Sequence, residues 1–167
     1  MPETISDTGP VLHLHEIGQL ATLTTVAPVV LPDLVLAELE TRGLDLAQLG
    51  EMGVESMVSP VPTSEWEEIL RNRAPQIQPA DAQVFALARA SRFQALALTD
   101  DLSLRRLLES HGAPVTGTVG ILIRAYTSSK ISRWELDAAI ESLFNDSSLH
   151  LSSGFRAYLR KLLEVLP

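Results

Sequence analysis

The sequence predicts an α/β fold: three layers, α/β/α, around a central, mostly parallel sheet of four to five strands. Two observations predict it. Short β-branched or apolar runs alternate with helical segments along the chain, and that alternation suits a parallel sheet with helices on both faces. The run Ala95-Leu96-Ala97-Leu98 is apolar throughout, as a strand covered on both faces must be. The chain has 167 residues, 46% hydrophobic and 20% charged, enough for one domain with a substantial core.

The elements follow in order. Thr4-Ile5-Ser6 is a strand ending at Asp7, and Thr8-Gly9-Pro10 reads as a turn. Val11 to Leu20 is the first helix. Val26 to Leu31, rich in β-branched residues, is the second strand. Pro32 opens the helix DLVLAELETR, which stops at Gly43. Leu44 to Met52 is a short helix. Met57-Val58 and Val61 flank prolines and read as an edge strand. Ser64 and Glu67 spell a capping box for SEWEEILRNR. Ala80 to Arg92 is an alanine-rich helix, and Phe93 to Thr99 is a buried strand ended by Asp100-Asp101. The helix LSLRRLLESH closes at Gly112, and Pro114-Val115 is the last strand. Thr116-Gly117-Thr118 leads into VGILIRAY. Ser132 and Glu135 repeat the capping box for SRWELDAAIESLF. GFRAYLRKLLEVL ends the chain, with Leu159, Leu162, Leu163 and Leu166 at helical spacing for packing or dimerisation. There is no internal repeat, low-complexity tract or linker.

Composition removes several function classes. The chain has no cysteine, which excludes a disulfide framework, a thiolate zinc site and a cysteine nucleophile together. MPETISD lacks a basic segment followed by an apolar run, and no apolar stretch reaches membrane-spanning length, so a soluble cytoplasmic protein is expected. The net charge of −8 argues against a protein that coats DNA regardless of sequence. Any grip on nucleic acid must come from a local patch or a second subunit, and bound cations would reverse the local charge of an acidic site.

The acidic residues carry the chemistry. Asp7 and the pair Asp100-Asp101 fall at the carboxyl ends of predicted strands, where parallel sheets place their sites. Glu38 lies three or four residues from Leu34 and Val35 and so projects towards the core side of its helix. Asp81 opens a helix after Pro79. Each has a plain structural use, as turn, rim residue or helix cap. A carboxylate cluster, however, is costly unless a cation sits in it, and an all-oxygen site suits Mg²⁺ or Mn²⁺. Metal-assisted phosphodiester chemistry is the function expected. His13 and His15 are two apart, on different helix faces, and are expected at the surface. His111 and His150 carry no pattern. Arg105 and Arg106 read as a solvated helix face, or, if one points into the cleft, as a hold for a phosphate. Asp7-Thr8-Gly9 also spells the aspartic-protease signature, but that fold is nearly all strand. A nucleotide-binding protein lacks its glycine-rich phosphate loop here.

In order and spacing, ISDTGPVLHL, VVLPDLVLAELE, PADAQVFALARA and ALALTDDLSLRRLLESHG resemble the PIN-domain superfamily of metal-dependent ribonucleases. GAPVTGTVGILIRAYTSSKIS resembles a bacterial and archaeal branch close to VapC-type toxins, in which a Gly-Thr-x-Gly turn precedes a helix. The resemblance covers residues 4 to 132 and implies a single PIN-like domain over 1–167, with 132–167 as a C-terminal helical extension. It implies an Mg²⁺- or Mn²⁺-dependent endoribonuclease, the toxin of a type II toxin-antitoxin pair, with RNA as substrate, an antitoxin as partner and a homodimer as assembly. By position Asp7, Glu38 and Asp81 match the first three family acids. The fourth falls on Asp100 or Asp101, after the hydroxyl of Thr99. Close relatives often carry Asp-x-Gly-Glu where this chain has Gln78-Pro79-Ala80-Asp81. That departure motivates an alternative, a catalytically inactive PIN-like binding protein.

Overall fold

In the computed structural model, which describes residues 3–73 and 77–167, the strands are β1 (Thr4–Ser6), β2 (Val29–Pro32), β3 (Ser56–Ser59), β4 (Leu96–Leu98) and β5 (Val115–Thr116). They form one sheet in the order β3-β2-β1-β4-β5, and every pairing is parallel. The helices are α1 (Thr8–Glu16), α2 (Asp33–Thr41), α3 (Leu46–Glu51), α4 (Thr63–Arg73), α5 (Pro79–Ala90), α6 (Leu102–Ser110), α7 (Thr118–Thr127), α8 (Arg133–Asp146) and α9 (Ser153–Val165). All of β1 and β2 is buried, because helices cover both faces. The edge strand β3 leaves Met57 and Val58 exposed. Strand order reverses beside β1, with β2 and β3 on one side and β4 and β5 on the other. That switch point opens a crevice at the carboxyl ends of β1 and β4. No helix among the described residues is long and apolar enough to cross a membrane.

Several element boundaries differ from expectation, each for a local reason. Helix α1 begins at Thr8, so Thr8-Gly9-Pro10 is its first turn and not a separate one. Asp7 caps it by accepting the Thr8 amide at 2.8 Å, and Pro10 is harmless because the first turn's amides have no helical partner. A 3₁₀ turn at Leu20–Thr25 takes up Val26, whose amide donates to the Leu23 carbonyl, so β2 starts only at Val29. Helix α4 starts at Thr63, with Glu65 and Trp66 donating to the Pro62 carbonyl; Ser64 therefore lies inside the helix and does not cap it. Arg92 and Phe93 adopt positive φ, 56° and 59°, which closes α5 and delays β4 to Leu96. By contrast the Ser132–Glu135 capping box forms as predicted.

The C-terminal helices join the same core. Leu136, Ile140, Leu143 and Leu159 are buried in it, and Leu162, Leu163 and Leu166 pack against it from partly buried positions. The leucines of α9 thus serve packing within the chain. Arg133 holds the far end of α9 by donating to the Leu163 and Leu166 carbonyls, two groups that the helix end leaves without internal partners.

Candidate functional site

The pairing of β1 with β4 sets the register from which the site grows. Ser6 lies beside Leu98, and the Asp7 amide continues the ladder by donating to the Leu98 carbonyl at 2.9 Å. Asp7 and Thr99 therefore leave the sheet side by side. Asp7 is 8% exposed. Its Oδ1 accepts from the Thr8 amide and its Oδ2 from the Thr99 hydroxyl at 2.9 Å. The same Thr99 oxygen accepts from the Asp101 amide at 3.1 Å, so one buried threonine fixes two acids.

Glu38 and Asp81 are brought to this point by helix contacts. On α2, Glu38 accepts from the Thr8 hydroxyl through Oε2. The structure places it exposed at the rim of the cleft, not against the core as its spacing suggested, because Val35 and Leu39 take the buried face. Asp81 is nearly buried at 9% exposure. Its Oδ2 accepts the Gln78 amide at 2.7 Å at the start of α5, so the helix-opening use foreseen for it is real. Gln83, fully buried, locks α2 to α5: its Oε1 accepts from the Leu34 amide and its Nε2 donates to Asp33.

Adjacent in sequence, Asp100 and Asp101 do different things. Asp101 caps α6, with Oδ1 accepting the Leu104 amide at 2.8 Å. Asp100 turns towards α7. Its Oδ1 accepts the Thr118 amide at 2.8 Å, and its Oδ2 takes the Thr118 hydroxyl at 2.5 Å and faces His13 Nδ1 at 2.7 Å. His13 is thus not a surface residue but part of a clamp joining α1, the end of β4 and α7; His15 is exposed as expected. Arg105 also departs from the solvated face foreseen for it, since its Nη2 donates to the Thr99 carbonyl at 3.3 Å.

Electrostatics separates the two aspartates further. Burial pushes the Asp7 carboxyl up to about 7, the Asp81 charge pushes the same way, the Thr8 and Thr99 hydrogen bonds pull back, and Glu38 adds to the rise. Asp81 is pushed up to about 6 by burial, offset by the Gln78 amide and reinforced by the charges of Asp101 and Glu38. The charges of Asp81 and Glu38 therefore reach Asp7, and those of Asp101 and Glu38 reach Asp81, and Asp100 contributes to neither shift. Among the described residues no Lys or Arg forms an ion pair with any of the four.

The donor set suits a hard cation in kind. Glu38 Oε1, Asp81 Oδ1 and Asp101 Oδ2 accept no protein hydrogen bond among the described residues, and each bonded oxygen keeps a second lone pair. The side chains are not gathered into a finished shell: among the described residues no group of three His, Asp or Glu is arranged to hold an ion as it stands. Glu38, Asp81 and Asp101 each have one oxygen turned to a nearby donor instead, and Asp7 has both.

The parts played by Thr8, His13, Gln83 and Thr118 were not foreseen, although Thr118 stands in the Gly-Thr-x-Gly turn and Gln83 is a lone amide in an otherwise apolar stretch of α5. A family model described as a PIN domain matches residues 3–164. No curated protein matches the chain.

Proposed function

This chain belongs to the PIN-domain family, and we propose that it is a divalent-metal-dependent ribonuclease acting as the toxin of a toxin-antitoxin pair. PIN domains are nucleases as a class, so the family brings phosphodiester hydrolysis. The observation that carries the proposal is a chain of repelling carboxylates, Glu38 and Asp81 acting on Asp7 and Glu38 and Asp101 acting on Asp81, without an Arg or Lys ion pair among the described residues, at the switch point of a parallel sheet. Repulsion of this kind is kept in a fold when something else neutralises it.

Asp7, Glu38, Asp81 and Asp101 would hold Mg²⁺ or Mn²⁺, which prefer carboxylate oxygens. Bound there, the ion supplies a water of lowered pKa and neutralises charge on the scissile phosphate. The chain's own part is to hold the ligands in place. Thr99 fixes Asp7 and the backbone of Asp101, Thr8 fixes Glu38, and Asp100 keeps the Gly117-Thr118 turn against the cleft. Asp100 spends its oxygens on Thr118 and His13, so Asp101 is the better fourth ligand.

A specific observation favours a second reading, the inactive PIN-like binding protein. Asp81 is engaged at its own helix start, and the acids do not close into a shell as they stand. Titration with Mn²⁺ separates the two, because a working site gives saturable one- or two-site binding lost in Asp7→Asn, and an inactive one gives none. The aspartic-protease motif has no fold behind it, since Asp7 caps a helix beside an all-parallel sheet.

An antitoxin is expected to cover the acidic cleft with an arginine or lysine, to which a metal-free carboxylate cluster is complementary. Expression of the chain alone in a bacterial host should arrest growth, and Asp7→Asn should relieve the arrest. Normal growth with soluble wild-type protein would count against a toxin.

A further inference from the structure

Strand β3 is the open edge of the sheet on the β2 side, and β2 separates it from β1 and the carboxylate cleft. The Val29 amide donates to the Glu55 carbonyl at 2.9 Å, and Val29 lies beside Ser56. In a parallel ladder that register turns the main-chain groups of Met57 to β2 and those of Ser56 and Val58 to the open side. Among the described residues those outward groups meet no partner. Sheet edges are commonly guarded by a lysine, a proline or a covering element, and Ser56–Ser59 contains neither residue. We infer that β3 accepts an extended segment of a partner protein, carrying Lys or Arg, as an added strand; the inference stands apart from the ribonuclease proposal.

The side chains select an extended occupant. Met57 and Val58 project to opposite faces of the sheet, as neighbours in a strand do, and are 44% and 42% exposed. Met52, which follows α3, is 52% exposed. A strand laid along the edge covers Met57 and Val58 together, whereas a helix resting on one face covers one of them. Main-chain bonds to Ser56 and Val58 would hold the segment, and methionine adapts to the side chain set beside it.

Charge selects the partner. Between Leu44 and Leu70 the chain carries Asp45, Glu51, Glu55, Glu65, Glu67 and Glu68 and no Lys or Arg. Asp45 caps α3, and Arg89 reaches Glu65 and Glu68. Glu51 and Glu55, which lead into β3, are exposed and form no ion pair among the described residues. A second copy would bring the same acids to the same edge, and a nucleic acid would bring more negative charge, so both are repelled. A cationic strand is complementary.

The test is fluorescence anisotropy of a labelled peptide, Lys-Lys-Val-Val-Val-Val-Lys-Lys, a strand of roughly eight residues, titrated with the full chain at low salt. Saturable binding is expected, and the same peptide with Glu in place of Lys should not bind. Val58→Pro removes an outward amide and no bond to β2, so it should weaken binding about tenfold or more. Glu55→Lys should weaken it several-fold, by a margin that fades as salt is added. Methylating the amides of the two central valines, which point to opposite edges of the peptide, should abolish binding to the wild type however Val58→Pro folds. No binding by the wild type, or equal binding of the methylated peptide, overturns the inference. So does binding that is lost in Asp7→Asn, which would put the peptide in the carboxylate cleft. A chain that dimerises alone, and loses the dimer in Val58→Pro, also overturns it, because the edge then belongs to a second copy.

Discussion

Asp7→Asn should lose metal-dependent RNA cleavage by about a thousandfold or more, equivalent to about 4 kcal/mol of barrier, and should melt higher than wild type at pH 8 without metal. Both effects come from one charge. The substituted side chain can still accept the Thr8 amide, and its own amide can donate to the Thr99 hydroxyl, so the cap and the link to β4 survive. What disappears is the negative charge that would hold the cation. In the metal-free protein that charge is a burden, because burial and Asp81 push the Asp7 carboxyl up to about 7 from the ordinary 3.8.

The sign follows from linkage. The folded state holds its Asp7 proton more tightly than the unfolded chain does. The resulting stability is full below about pH 4 and lost as pH rises through 7. Complete loss is on the order of 4 kcal/mol. If the asparagine recovers about half of it, the melting temperature at pH 8 rises by about 4–8 °C, and the two proteins converge near pH 4. Thermal scans at both pH values in chelator check this. A variant less stable than wild type at pH 8, or one that cleaves normally, contradicts it.

The second large effect is expected at Gly117, through stability. Its φ of −112° is ordinary for any residue, so the glycine is needed for space. A Cβ there would lie 2.5 Å from Asp100 Oδ1, 3.1 Å from Arg105 Nη2 and 3.2 Å from the Thr99 carbonyl. The carboxylate cannot simply swing away, because Thr118 and His13 hold both its oxygens. Gly117→Ala must break that clamp or shift the start of α7. Overpacking and a lost charge-assisted hydrogen bond together cost about 2–4 kcal/mol, a fall of roughly 5–15 °C in melting temperature. A shift under 2 °C, about 1 kcal/mol or less, would mean that the Asp100 clamp is not structural.

The sheet was legible because its strands are short, apolar and regularly interrupted. The order of strand and helix survived intact, and the misplaced boundaries lie where a local device overrode pattern. Asp7 capping α1 is one, since the turn signal of Gly9-Pro10 and the first turn of a helix look alike in sequence. The 3₁₀ turn at Leu20–Thr25 is another, with no period of its own. The acids were legible by their placement at strand ends and helix starts. The division of labour between Asp100 and Asp101 was not, because it depends on Thr118, eighteen positions on, and on His13, eighty-seven positions back. Glu38 illustrates the limit of helical spacing, which places a residue near the apolar stripe but does not say where the neighbouring layer ends.

The central claim is that these four carboxylates serve a divalent cation in RNA hydrolysis. Its most direct test is cleavage of a labelled, unstructured RNA by the purified chain, with Mn²⁺ and then with excess chelator in the same preparation. Cleavage that appears with Mn²⁺, stops in chelator and returns when Mn²⁺ is restored is the predicted result. Cleavage that persists in chelator, or a folded protein that cuts no RNA at any Mn²⁺ concentration, would contradict it.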